Sequence, residues 1–128
     1  MQDAELTQRF LAGTLDSFAH RDHVRVGFLL LCANEFDEAT LILSNRIRAM
    51  AAAAGDPNKF HATRTTAWMH LIESRRMAGS PPGDSEAFLR SHPELLRSSL
   101  LNDYYSAELL RSDGARAQYV QPDLAALR

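Results

Sequence analysis

Residues 18–57 read FAHRDHVRVGFLLLCANEFDEATLILSNRIRAMAAAAGDP, and this stretch decides the fold. Its apolar residues recur at helical rather than alternating spacing. Val24, Phe28 and Leu31 share one face, with Leu30 adjoining it, and Phe36, Ala39, Leu43, Ile47 and Met50 form a second stripe. The pattern predicts a helix from about Phe18 or Ala19 to Ala33, ended at Asn34, and another from about Glu35 to Ala54, terminated by Gly55 and Pro57.

Working outward, Asp3 is placed to cap a first helix whose apolar residues Ala4, Leu6, Phe10 and Leu11 precede Gly13. Thr14 to Ser17 is a polar break. A fourth helix is expected from about Lys59 to Met77, carrying Phe60, Ala67, Trp68 and Leu71, before Gly79-Ser80-Pro81-Pro82-Gly83 interrupts the chain. Asp84 or Ser85 begins a fifth over about Ser85 to Arg90. Pro93 fits the first turn of a helix running through Leu101, and Ser106 caps a short one over Ala107 to Arg111. Gln121 to Leu124 reads as extended chain, because proline restricts the residue before it. With no alternating β-branched run, the fold class is all-α: a compact helical bundle with up-down-up core helices plus short C-terminal helices, one domain over residues 1–128.

Composition narrows the function classes. The 128 residues hold 14 Lys and Arg against 16 Asp and Glu, a formal charge of −2, which gives no general electrostatic reason to bind nucleic acid or an anionic membrane. Apolar runs such as Val26–Ala33 fall far short of the roughly 20 residues a bilayer needs. The acidic, polar start is unlike a signal peptide, and Cys32 is the single cysteine, so a cytoplasmic location is expected.

Three of the five histidines carry the most chemistry. His20 and His23 are spaced i, i+3 on one helical face, and His61 lies near a second helix start. Short links between helices favour antiparallel neighbours, which would gather all three rings at one end of the bundle. Two imidazoles from one helix plus one from another suit a divalent transition metal (zinc, iron, copper or nickel) with an open position, or acid–base work without metal. Thr63 and Thr65 would orient a substrate, with Trp68 as a pocket wall. Two helix N-termini flanked by Arg21, Arg25, Lys59 and Arg64 would favour a carboxylate or phosphate, unless Asp16, Asp22 and Asp56 neutralise these cations. No phosphate-cradling glycine loop or nucleophile elbow is present, so no nucleotide cofactor is expected.

The segments Phe18-Ala19-His20-Arg21-Asp22-His23 and Lys59-Phe60-His61-Ala62-Thr63-Arg64-Thr65 resemble a family of small uncharacterised bacterial all-α proteins with the patterns Phe-x-His-x-x-His and Lys-aromatic-His-x-Thr-x-Thr. Tyr105-Ser106, Ala115-Arg116 and Val120-Gln121-Pro122-Asp123-Leu124 are similar to that family's closing segment, so the resemblance spans nearly the whole chain. It implies a shared site around His20, His23, His61, Thr63 and Thr65 without naming a reaction. Ala62 departs from the acidic residue expected there.

Two functions follow as expectations. The first is a small-molecule enzyme with a three-histidine site (His20, His23, His61), metal-dependent or acid–base, acting on a small anionic substrate held by Thr63, Thr65, Arg25, Arg64 and Trp68. The second is a non-catalytic helical interaction module, a homodimer through its apolar stripes.

Overall fold

Gly27 lets two helices of the core meet almost backbone to side chain. A Cβ at that position of α2 (His20–Ala33) would lie 3.0 Å from Ile72 Cδ1 and 3.1 Å from Met69 Sδ on α4 (Ala62–Met77). Around this seam pack α3 (Phe36–Ala53), joined to α2 by Asn34 and Glu35 alone, and α1 (Asp3–Ala12). The computed structural model describes residues 1–79 and 83–128, so Ser80, Pro81 and Pro82 of the expected chain break lie outside the described residues. No strand occurs among the described residues, and none of their helices is long and apolar enough to cross a membrane. The fold is an all-α bundle.

The buried face matches the stripes read from sequence. Val24, Phe28, Leu30 and Leu31 of α2 join Ala39 and Leu43 of α3 and Ala67, Trp68, Met69, Leu71 and Ile72 of α4 in one core, closed by Leu6 and Phe10 of α1. Phe28 stacks on Phe88 of α5 (Ser85–Ser91) at 4.1 Å between ring centroids. Gly13 ends α1 in the left-handed region (φ 72°), which favours glycine, and the Arg46 guanidinium lies close against it.

Past α5 the chain turns irregular. Pro93–Leu96 and Ser98–Asp103 form two 3₁₀ turns where one α-helix was expected, and α6 (Ala107–Arg111) follows as read. A further turn of helix, α7 (Asp113–Ala117), follows; Ser112 caps it by accepting from the Ala115 N–H. The fourth helix also starts later than expected. Pro57–Lys59 form a 3₁₀ turn, Phe60 and His61 are extended, and α4 begins at Ala62.

Asp3 has a different task from the one its position suggests. Gln2 occupies the cap of α1 with no side-chain bond, while the Asp3 carboxylate accepts from the backbone N–H of Ser85 at 2.9 Å and from the Ser85 hydroxyl. It thereby meets the first residue of α5, 82 positions away. Arg25, 4% exposed, donates to Asp3 Oδ1 at 2.9 Å, Ser85 Oγ at 2.9 Å and the Met1 carbonyl at 2.7 Å. Burial raises the Asp3 carboxyl, but the Ser85 bonds and Arg25 outweigh it and hold it below its ordinary range. Replacing Asp3 by alanine leaves the buried Arg25 guanidinium with only the more exposed Glu86, at 3.4 Å, as a carboxylate partner and removes the acceptor of the Ser85 bonds, so chemical denaturation of Asp3→Ala is expected to show a loss of about 2 kcal/mol.

Candidate functional site

The N-terminal turn of α2 is built by Asp22, whose carboxylate accepts from the Ala19 N–H at 3.2 Å. This sets His20 and His23 on one face, with ring centroids 6.4 Å apart. His20 Nε2 donates to the Leu95 carbonyl at 2.8 Å and the ring meets Trp68 edge-on at 4.5 Å. A carbonyl only accepts, so Nε2 carries the proton of neutral His20. His23 stacks on Phe18 at 5.7 Å, and its Nε2 is sealed from solvent with no hydrogen-bond partner. Burial, reinforced by His20, pushes the His23 imidazole down to about 4.

His61 is placed differently. It is the N-cap of α4: Nδ1 accepts from the Arg64 N–H at 3.1 Å, and Nε2 donates to the Leu110 carbonyl at 2.7 Å. Burial pulls the imidazole below its usual range; the Leu110 bond opposes that, and the positive charges of Arg64 and Arg116 add to it. Thr63 Oγ1 donates to the Gln118 carbonyl at 3.0 Å and accepts from the Val120 N–H at 3.1 Å. Thr65 Oγ1 donates back to the His61 carbonyl at 2.9 Å, bonding within its own helix.

These contacts engage the three imidazoles separately. Both nitrogens of His61 are committed to protein groups, and the described residues hold no group of three His, Cys, Asp or Glu side chains arranged for a metal ion. The physical reason is register. His20 meets α4 at Trp68, seven residues and about 10 Å of helix rise beyond His61. Thr63 and Thr65 are likewise engaged with backbone. The cation cluster divides as well: Arg21 pairs with Glu86, and Arg25 with Asp3 and Glu86, rather than with Asp16, Asp22 or Asp56. Arg64 is exposed beside His61, and Trp68 is buried in the core at 4% exposure.

A concave site lies elsewhere, outside the histidine and threonine motifs. A half-open cleft of about 600 Å³ runs between the α1–α2 loop and the C-terminal turns of α3. Leu15, Phe18, Ile47, Met50, Ala51 and Phe60 give it apolar walls, while Arg46, Lys59 and Asp16 supply charge. The cleft is bounded by Ala49, Ala51 and Ala53 of α3 and its cap Ala54, whose single methyl groups leave unfilled the space that longer side chains would occupy. That alanine run, followed at short range by a lysine and a phenylalanine, was the available signal. Arg46 is steadied by donating from Nε to the Phe10 carbonyl at 3.3 Å, and no ion pair among the described residues uses Arg46 or Lys59.

Comparisons of the chain with protein-family models, with curated proteins and with solved structures gave no match.

Two outcomes test the roles assigned to the motif residues. The unfolded His23 ring binds a proton near 6.5 and the folded ring only near 4, so protonation favours the unfolded chain. Urea denaturation across pH 7 to 4 is expected to show stability falling through this window, with His23 accounting for about 3 kcal/mol; in His23→Leu that share of the decline is absent. Thr63→Val is expected to cost about 2 kcal/mol by stranding polar backbone of the closing segment, and limited proteolysis then cuts within residues 118–128 sooner than in the parent.

Proposed function

We propose that this protein binds a small amphipathic carboxylate in the cleft between the α1–α2 loop and the end of α3. One observation carries the reading: Arg46 and Lys59, neither in an ion pair among the described residues, flank an apolar surface of Phe18, Ile47, Met50 and Phe60. Pockets of 300–1,000 Å³ with mostly apolar walls and a few placed polar groups are the usual form of small-molecule sites. Here the apolar surface favours an alkyl or aryl body at about 0.8 kcal/mol per buried methylene. The cations favour one negative head group, and a carboxylate forms charge-assisted bonds with both side-chain types.

This keeps the small anionic ligand expected from the sequence and moves it from the histidines to the cleft. His20, His61, Thr63 and Thr65 support the site indirectly, by fixing the helices and the closing segment. Phe18 lines the cleft and also stacks on His23, so a ligand against Phe18 presses on the ring whose Nε2 lacks a partner.

Thermal melting in the presence of octanoate tests the reading. At 100 times its dissociation constant a ligand adds about 2.7 kcal/mol, which for a domain of this size raises Tm by roughly 10 °C. Ala53→Trp, which fills the cleft from an exposed position, is expected to abolish the rise while leaving the ligand-free Tm within about 2 °C. An unchanged Tm for the parent across the octanoate titration would refute the reading.

A further inference from the structure

Arg46 fixes where the charged end of the cleft lies. Its guanidinium rests against Gly13 and donates to the Phe10 carbonyl, so its positive charge sits at the close of α1 although its backbone belongs to α3. Gly13 itself lines the cleft, and Asp16, which also lines it, follows by three residues. Three residues of fully extended chain reach about 11 Å at most, so the Asp16 and Gly13 backbones lie within that distance of each other. A cation and a carboxylate therefore enter one cleft at the same end.

No ion pair joins Arg46 to Asp16 among the described residues, so the two charges border the same space without closing on each other. From that end the apolar wall runs away along α3. Met50 and Ala53, both lining the cleft, lie about 6 and 10 Å of helix rise beyond Arg46. Ile47 and Phe60 continue the same surface.

We infer that the ligand is an α-amino acid with an apolar side chain: its carboxylate pairs with Arg46, its ammonium with Asp16, and its side chain lies along Ile47, Met50 and Phe60. The inference rests on the cleft reading and narrows its ligand class. A bare carboxylate seated at Arg46 is repelled by Asp16, and an added ammonium turns that repulsion into a charge-assisted hydrogen bond. The α position follows from both protein charges lying at one end of the cleft. An ammonium at the far end of the chain would be set against methyl groups and a phenyl ring, where an unpaired charge is costly.

Isothermal titration of the full chain with octanoate, 2-aminooctanoate and 8-aminooctanoate tests this, because the three share one carbon chain. The 2-amino acid is expected to bind about tenfold tighter than octanoate, as one added charge-assisted contact provides, and the 8-amino acid no tighter than octanoate. Asp16→Asn, at an exposed loop position, is expected to bring 2-aminooctanoate to within about twofold of octanoate and to tighten octanoate slightly by removing the like charge. Glu38→Gln, an exposed acidic position of α3 away from the cleft, is expected to keep the tenfold ratio. Octanoate that binds while 2-aminooctanoate binds no tighter, or a tenfold ratio that survives Asp16→Asn, overturns the amino-acid inference and leaves the cleft reading standing. Failure of all three acids to bind overturns both.

Discussion

Buried backbone carbonyls in the irregular C-terminal third must find donors, and the rest of the molecule is arranged around that need. Short 3₁₀ turns and five-residue helices leave many of their own carbonyls unpaired. Leu95 receives its proton from His20, Leu110 from His61, and Gln118 from Thr63, across separations of 75, 49 and 55 residues. Imidazole suits this role because one ring donates at Nε2 while its other nitrogen stays available, and His61 uses both at once to cap α4 and hold α6. His20, His61 and Thr63 thus tie the helix starts to later backbone.

That accounts for which parts were legible in the sequence. The period of the apolar residues in α2, α3 and α4 is a local property, and so the helices, their order and most of the core stripe were readable. Their ends were less so: Pro57 was visible as a breaker, yet the extended Phe60 and His61 that delay α4 depend on contacts with residues beyond 100. The geometry of the candidate site was the least legible part. Residue types at helix starts indicate which end of a bundle they occupy, whereas ligation demands register to within an ångström or so, and register between α2 and α4 is set by Gly27 against Met69 and Ile72. The anion site read at Arg21 and Arg25 met the same obstacle, because Asp3 and Glu86 that neutralise them are distant in sequence.

The cleft illustrates the opposite problem. Alanines at the end of α3 read as favourable helix formers and no more, and emptiness has no residue to represent it in a sequence. Only when the α1–α2 loop and Phe60 are set opposite those methyl groups does their small size become a volume with walls. Arg46 lies against Gly13, donates to the Phe10 carbonyl and supplies charge to the cleft, so the end of α1 and the cleft are parts of one arrangement.

The link between Asp3 and Ser85 also governs when the molecule can be completed. During synthesis at about 5–20 residues per second, the ribosome takes roughly 4–16 s to add the 82 residues that separate them. Throughout that interval Asp3 and Arg25 are both already made, but the Ser85 hydroxyl and backbone N–H that complete their network are missing. Final docking of the leading segment is therefore a late event of biosynthesis, although its residues are the earliest made.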